Sequence, residues 1–555
     1  MKIIECVPNF SEGRDLSIIR QITDEIESVE GVRLLDVDPG ADTNRTVVTF
    51  IGTPEVVQEA AFKAIAKAAE LIDMTKHKGA HARQGATDVC PFVPVSDVTM
   101  EECIACAHAV GKRVGEELNI PVYLYEYAAS TPERRNLAYV RREYESLEKR
   151  LQDPHWKPDY GEAKFNARSG ATQISARDFL IAYNINLNTR DVKKSRKIAF
   201  HIREKGYPKR DENKKIIKDK NGEMILLPGI FKHVKGTGWY LPEHKHCQVS
   251  MNLTNYHVSS LHEVFDKVCE LANEIGVRVT GSELVGLTPK EVLIDAGHYF
   301  LQKQGVCHGV ADDELIRVAI ESLGLNDTTP FDPKTKIIES YLMDDENSLV
   351  AMTAREFADE LGSDSPAPGG GSVAALAASL SAALSSMVAH LTYPKPKYAK
   401  IRKELNDVAV RAQACKHFFL NQVDDDTQAF NQVMAAMRLP KKTPEEQSIR
   451  KAAILKANKG ATQIPFDVLA RCQETIELAE FVINEGNPNS LSDAGVAALM
   501  ARAGADGAYY NVLINLASIN DDDYVNTMKI NATKIREDIV TRSQKLQKIL
   551  LERLS

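Results

Sequence analysis

The sequence predicts a multi-domain chain in which two tandem α+β, ferredoxin-like subdomains precede an all-α helical bundle. Three observations carry this reading. Strand-type and helix-type segments open the chain in the order β-α-β-β-α-β, that of a ferredoxin-like unit. The same order recurs after residue 178, and beyond Met352 the alternation gives way to long segments of 3.6-residue period. The 555 residues are enough for three or four units at ~150 residues each. The expected divisions are 1–178 and 179–333 for the two subdomains, 334–351 for a linker and 352–555 for the bundle.

In the first subdomain, Lys2–Asn9 reads as a strand, Asp15–Val29 as a helix, and Val32–Asp38 and Thr46–Gly52 as strands; helix Glu55–Asp73 and strand Thr87–Val95 follow. A helix Thr99–Leu118, a strand Pro121–Tyr127 and a basic helix with Arg134, Arg135, Arg141 and Arg142 extend it, and Asp153–Ser175 reads as a loop. The second subdomain is expected to use strand Phe179–Leu187, helix Asp191–Lys205, strands near Gly238–Leu241 and at Cys247–Asn255, helix Ser260–Ile275 and strand Val277–Val285. In Cys247–Asn255 the apolar Val249, Met251 and Leu253 alternate with Ser250, Asn252 and Thr254, the signature of a half-buried strand. The charged stretch Lys209–Met224 carries Asn221-Gly222, a strong hairpin signal, and is read as a surface insertion. Helices are expected at Thr353–Leu361, Val373–Leu391, Tyr398–Met437, Glu445–Glu485, Asp493–Asn520 and Asp521–Leu554; Thr353-x-x-Glu356 forms a capping box for the first.

Hydrophobic content of 43% and charged content of 26% are those of a globular chain. A net charge of −8 argues against nucleic acid as a partner. The opening residues lack an apolar signal-peptide core, which gives cytoplasmic residence as the expectation. Val373–Leu391 is built from Ala and Ser with few large apolar side chains, so no membrane span is expected there. The nine cysteines show no disulfide spacing, and Cys103-x-x-Cys106 lacks a second ligand pair, so no metal is expected and the motif reads as a buried helix face.

Two loops concentrate chemistry. His77-Lys78-Gly79-Ala80-His81-Ala82-Arg83-Gln84-Gly85-Ala86-Thr87-Asp88 is a glycine-punctuated polar loop entering a strand, and a histidine there suits a proton shuttle because its pKa of ~6.5 lies near working pH. Asp36-Val37-Asp38-Pro39-Gly40-Ala41-Asp42-Thr43-Asn44-Arg45 joins two strands and offers a carboxylate to orient an imidazole and a guanidinium to hold an anion; a satisfied turn with a solvated Arg fits the same spacing. In the helical half, Ser365-Pro366-Ala367-Pro368-Gly369-Gly370-Gly371-Ser372 precedes an alanine-rich helix and would let backbone N–H groups face a ligand.

The run Glu5-Cys6-Val7-Pro8-Asn9-Phe10-Ser11-Glu12-Gly13, the loop His77–Asp88 continuing into Val89-Cys90-Pro91-Phe92-Val93-Pro94, and Phe179–Leu187 closely resemble glutamate formimidoyltransferase. Residues 352–555, with the Pro/Gly motif, Asp424-Asp425-Asp426-Thr427-Gln428-Ala429-Phe430 and Ser492-Asp493-Ala494-Gly495, resemble formimidoyltetrahydrofolate cyclodeaminase. Together they resemble the bifunctional formimidoyltransferase-cyclodeaminase family of histidine degradation over essentially the whole chain. The resemblance implies transfer of a formimino group from N-formimino-L-glutamate to N5 of tetrahydrofolate, then cyclisation to 5,10-methenyltetrahydrofolate with release of ammonia. Tetrahydrofolate, polyglutamylated, would be a co-substrate without a metal, and the protein a homo-oligomer, a ring of dimers. A folate-binding scaffold with one inactive site, and a helical half acting as methenyltetrahydrofolate cyclohydrolase, are the alternatives.

The family's transferase histidine falls on His81, the implied general acid/base, with Asp38 orienting it and Arg45 holding a carboxylate or stabilising charge. Its folate-contacting segments map onto Lys164-Phe165-Asn166-Ala167-Arg168-Ser169-Gly170-Ala171-Thr172-Gln173 and Lys232-His233-Val234-Lys235-Gly236-Thr237-Gly238-Trp239-Tyr240. Trp239, one of two tryptophans, would wall a flat pteridine. The cyclodeaminase aspartate falls on Asp426, and its pocket on Pro368, Gly369, Gly370, Gly371, Ser372, Asp424 and Asp493. On a helix Asp424, Asp425 and Asp426 point in different directions, so at most two can face one site.

Overall fold

The computed structural model describes residues 2–79, 82–213, 215–242, 244–341 and 348–555. Contacts divide the chain into two compact units, Met1–Leu293 with Ile320–Leu342, and Ile294–Ala319 with Met343–Ser555.

The first unit begins β1 (Ile3–Cys6), β2 (Asn9–Phe10), α1 (Leu16–Glu27), β3 (Arg33–Gly40), β4 (Arg45–Gly52), α2 (Pro54–Leu71), β5 (Thr87–Ser96), α3 (Met100–Glu117) and β6 (Val122–Glu126). The basic stretch that follows is not one helix. Pro132–Arg135 is a single 3-10 turn, followed by the short α4 (Leu137–Val140), a 3-10 turn Tyr144–Ser146, the short α5 (Leu147–Leu151) and a 3-10 turn Pro154–Trp156; Arg134 is drawn to Asp159 and the carbonyls of His155 and Lys157 instead of a helix face. Within the expected loop lies β7 (Thr172–Ala176), wholly buried and parallel to both β5 and β6. The seven-stranded sheet runs β3-β4-β1-β5-β7-β6, with β2 bridging β4 and β5. Ile4, Cys6, Phe50, Phe92 and Ile174 on one face pack on Ile22, Ile65 and Val110 of the helices.

The unit continues with β8 (Ile181–Leu187), α6 (Val192–Ile202), the short pair β9 (Tyr207–Pro208) and β10 (Leu226–Leu227), then β11 (Val234–Leu241), β12 (His246–Leu253), α7 (Leu261–Glu274) and β13 (Val279–Val285). The four-stranded antiparallel sheet has the order β11-β12-β8-β13. Gly222 sits at φ +80° in the hairpin expected at Asn221-Gly222.

Helices α8 (Lys290–Lys303) and α9 (Asp312–Leu323) have no counterpart among the sequence-derived elements, and Ile294–Ala319 is counted with the helical unit instead of ending at residue 333. The reason is local. His308 N–H donates to Asn406 Oδ1 (2.9 Å), Asn406 Nδ2 reaches His308 Nε2 (2.8 Å), and Gly309 lies so near Ala409 that a Cβ would strike its backbone. Residues 334–341, expected as linker, form α10 (Pro333–Lys336) and a 3-10 turn whose Ile338 is buried with Leu35 and Ile51.

The second unit is built from α11 (Ala354–Leu361), α12 (Gly370–Thr392), α13 (Arg402–Met437), α14 (Pro444–Glu485), α15 (Leu491–Leu516) and α16 (Asp522–Leu554). The capping box is present at Thr353 and Glu356. Ala375, Ala378, Ala382, Ala498, Ala501 and Ala505 are buried at the centre, and Gly504 meets Ala378. Small side chains therefore let α12 and α15 approach closely. Among the described residues α12 alone is long and apolar enough to cross a membrane, but most of it is buried inside this unit, as a core helix is.

Candidate active sites

In the first unit, the register of β3 on β4 sets Gly40 opposite Arg45 and Asp38 opposite Val47, so Asp38 stands diagonally two residues from Arg45. Arg45 Nε donates to Asn9 Oδ1 at 3.0 Å, and its Nη1 pairs with Asp88. Asp88 is fully buried and also accepts from Arg141 Nη1 (3.1 Å) and Gln84 N–H (2.9 Å). Burial pushes the Asp88 carboxyl up, but the Arg45 and Arg141 guanidiniums outweigh it and hold it below the ordinary carboxylate range. Two guanidiniums against one carboxylate leave net positive charge, which suits an anionic substrate group. Asp88 lies within the polar loop, but nothing in the one-dimensional pattern distinguishes it as the loop's buried anchor, and the sequence pattern places Arg141 on a helix that the structure does not form.

Asp88→Asn removes one partner of two guanidiniums, and is expected to cost about 3–5 kcal/mol of stability in the first unit, measured by urea unfolding. Little change on unfolding would mean that the cluster is solvated.

His77 is already committed. Its Nε2 donates to the Asn44 carbonyl (2.8 Å) and its Nδ1 accepts from Arg83 Nε (3.2 Å), which fixes a neutral tautomer; burial, reinforced by Arg83, lowers its pKa. Arg83 is held in turn by Glu145. Of the loop's two histidines, His81 lies outside the described residues.

The segment Lys164–Gln173 is brought against this loop. Arg168 O accepts from Met74 N–H (2.9 Å), Ser169 O from Ala86 N–H (2.8 Å), and Ala171 N–H donates to Gln84 O (3.1 Å). Asn166 closes the turn through Ser169 N–H (3.0 Å), and Gly170, at φ +68°, sits where a Cβ would strike Gln84 O. Phe165 packs on Tyr144, whose hydroxyl donates to Ala167 O. Gln173 Nε2 donates to Gln84 Oε1 (2.6 Å). Lys164 and Arg168 are exposed, and Thr172 is buried as β7 begins.

The segment Lys232–Tyr240 leads into β11. Val234 and Gly238 are buried, Gly238 against the backbone of α6. Lys235, Thr237 and Trp239 alternate onto the opposite face. There Trp239 Nε1 donates to Gln248 Oε1 (2.9 Å), and Gln248 Nε2 reaches Asn186 Oδ1 (2.9 Å) and Glu283 Oε2 (3.0 Å). Lys235 pairs with Glu126 of the first sheet at 3.8 Å. His233, at φ +56°, donates its N–H to Glu204 (2.9 Å); Lys232 O accepts from Ser259; Gly236 is unobstructed and Tyr240 half-buried.

In the second unit the Pro/Gly motif and the acidic triplet meet. Pro368 and Gly369 precede α12, Gly369 as its N-cap, and Asp426 Oδ2 accepts from Ser372 N–H (3.0 Å) and Ser372 Oγ (3.3 Å). The carboxylate thus caps the positive end of α12, yet burial raises its pKa against those hydrogen bonds. A Cβ on Gly371 would run into Asp426 Oδ1. Gly371→Ala is therefore expected to displace the carboxylate and lower activity at this site by about 100-fold, read against unchanged activity of the first unit. Full activity would show that the carboxylate's position is unimportant.

The other acidic residues go elsewhere. Asp424 accepts from Ser348 Oγ and Leu349 N–H, both at 2.7 Å, and so anchors the segment before α11. Asp425 pairs with Gln422 (2.7 Å). Asp493 lies in the first turn of α15, whereas Asn511 on the same helix is the residue beside Gly370; the intervening helix is about 27 Å long at 1.5 Å per residue. Asp493 is thus not brought to Asp426. Asn511, beside Gly370, and Gln422 and Phe430, one helical turn before and beyond Asp426 on α13, share this side instead, and Gln422 Oε1 is buried without a partner among the described residues. Cys103 and Cys106 are buried in α3, with thiols pushed up to about 12 and about 11, first by burial.

Residues 3–177 match the family described as formiminotransferase domain, N-terminal subdomain; residues 182–343 match formiminotransferase domain, and residues 353–534 match formiminotransferase-cyclodeaminase. The chain is 41% identical over 542 residues to the formimidoyltransferase-cyclodeaminase of Gallus gallus, covering 97% of this chain and 96% of the relative. It is 43% identical over 312 residues to the glutamate formimidoyltransferase of Thermoplasma acidophilum, covering 56% and 95%. It is 42% identical over 169 residues to the methenyltetrahydrofolate cyclohydrolase of Methylorubrum extorquens, covering 30% and 81%.

Proposed function

The chain belongs to the formiminotransferase-cyclodeaminase family, and from this we infer a two-step folate enzyme of histidine degradation. The first unit transfers the formimino group of N-formimino-L-glutamate to N5 of tetrahydrofolate, releasing glutamate. The second closes the adduct to 5,10-methenyltetrahydrofolate and releases ammonia. The observation that carries the reading is similarity along nearly the whole chain to relatives bearing both activities, together with separate similarity of the first part to the transferase alone.

For the transfer, we assign His81 as the group that removes the N5 proton and returns it to the departing glutamate nitrogen. Asp38 orients it. Arg45 with Arg141, anchored on Asp88, supplies the positive end that holds the glutamate carboxylate. The segments Lys164–Gln173 and Lys232–Tyr240 bind the folate; the exposed Lys164, Arg168, Lys232 and Lys235 suit an anionic polyglutamate tail. For cyclisation, N10 attacks the formimino carbon, its own proton passes to the former imine nitrogen, and the C–N bond to that nitrogen breaks once a second proton reaches it, so that it leaves as ammonia. Asp426, its proton affinity raised by burial, is the donor. Phe430 offers an aromatic face to the pterin.

The ferredoxin-like reading of both subdomains is supported by the strand orders β3-β4-β1-β5 and β11-β12-β8-β13, which are the same in chain order. A homo-oligomer, read as a ring of dimers, is supported by exposed apolar side chains along α12 (Val373, Leu380, Met387, Leu391) and α15 (Val496, Leu499, Tyr510, Ile514). Nine free cysteines accord with a cytoplasmic enzyme. The similarity to a methenyltetrahydrofolate cyclohydrolase favours one second reading of the helical unit. Ammonia release from 5-formiminotetrahydrofolate supports the cyclodeaminase; hydrolytic ring opening of methenyltetrahydrofolate without ammonia would support the other.

A further inference from the structure

Strand β1 carries a charged group to which neither site assigns a role. Ile4 and Cys6 belong to the helix-covered core, so by alternation Glu5 points to the opposite face of the sheet. There it is 4% exposed, and among the described residues no hydrogen-bond donor reaches its carboxylate; only the field of Arg177 favours its charge. Register sets its surroundings. Glu5 stands opposite Ile51 of β4 and Val93 of β5, and Ser175 of β7 stands opposite Pro91 of β5 and Tyr125 of β6.

Two apolar plugs bound this part of the face. Val89 and Tyr123 pack with Val140 and Leu147 at one end, and Leu35 and Ile51 with Ile338 at the other. Between them, among the described residues, Gln173 Oε1 and the neighbouring Gln84 Nε2 are buried without partners, and Ser175 shares a side-chain hydrogen bond with Tyr125. Glu5 therefore lies on a face whose buried polar groups are only partly satisfied. Holding a carboxylate this deep with no donor among the described residues costs several kcal/mol, a cost that a ligand carrying N–H donors would offset.

We propose that Glu5 receives a planar N–C–N unit carrying two N–H donors. This rests on the transferase reading, because both substrates of that reaction contain such a unit: the 2-amino/N3–H edge of the reduced pterin, and the formamidine of N-formimino-glutamate. A carboxylate accepts such a pair through both oxygens, in the geometry it uses with a guanidinium. Without those donors, burial pushes the Glu5 carboxyl up to about 7, with Arg177 opposing. Two donors favour the ionised form, so binding near neutral pH releases a proton.

Calorimetric titration of the full chain and of Glu5→Gln, with tetrahydrofolate and with N-formimino-glutamate separately, in two buffers of different ionisation heat, tests this. The expected result is a loss of about 10- to 100-fold in affinity for one ligand, no change for the other, and disappearance of the released proton. Loss on the folate arm identifies the pterin edge, and loss on the other arm the formamidine. Glu5→Asp, still charged but one methylene shorter, is expected to weaken binding yet keep the proton release. Unchanged affinities and unchanged proton release in Glu5→Gln would overturn the proposal while wild-type transfer stands. Absence of transfer in the wild-type chain would overturn the transferase reading instead.

Discussion

Asp426→Asn is expected to lower cyclisation by about 100- to 10,000-fold, the usual worth of a positioned acid or base, while formimino transfer continues at its wild-type rate. The substitution keeps the shape of the side chain and can still accept from Ser372 N–H and Oγ, so the pocket is retained and only the proton is removed. The pH profile supplies a second readout. Burial raises the Asp426 pKa, so the protonated, donating form persists to higher pH than an ordinary carboxyl allows, and cyclisation declines as pH rises through that value. The Asn variant has no such limb. A stopped-flow record of methenyltetrahydrofolate formation from supplied 5-formiminotetrahydrofolate measures both; a variant with normal rate and profile would remove Asp426 from the mechanism.

His81→Ala is expected to have the reciprocal effect, lowering transfer by about 100- to 10,000-fold and leaving cyclisation of supplied 5-formiminotetrahydrofolate intact. The structure bears on this assignment through His77 alone. Both nitrogens of His77 are occupied, by the Asn44 carbonyl and by Arg83. His77→Ala should therefore loosen the loop and raise KM before it lowers kcat, whereas His81→Ala should act on kcat. Single-turnover kinetics with saturating folate separates the two. If His77→Ala removed the chemical step and His81→Ala did not, the assignments would have to be exchanged. Loss of both activities from either Asp426→Asn or His81→Ala, with the fold intact, would show that the two sites are not separable.

Much of this was legible in the sequence because the relevant signals are local. The alternation in Cys247–Asn255 became β12, and the Thr353/Glu356 box caps α11. The Pro/Gly motif and Asp426 each stood out as motifs. Their contact, with Gly371 shaped to the carboxylate, comes from the crossing of α12 on α13, which no spacing encodes. Asp424 and Asp493 look equally suitable in a motif. One anchors the segment before α11, and the other sits in the first turn of α15, far from Asn511 on the same helix, because a helix spreads neighbouring residues around its circumference and distant ones along its axis. Strand β7 is illegible in the sequence for a different reason: five residues buried in parallel pairing between β5 and β6 show no polar alternation. The anchoring of Arg45 and Arg141 on Asp88 joins three separate stretches of chain, a tertiary fact that composition leaves open.

The central claim is that one chain performs both steps on one folate. Mixing the purified full-length protein with N-formimino-L-glutamate and tetrahydrofolate, and following methenyltetrahydrofolate absorbance with ammonia and glutamate in the same reaction, tests it most directly. Equimolar appearance of all three products is the predicted result. Appearance of neither a folate product nor ammonia would contradict it.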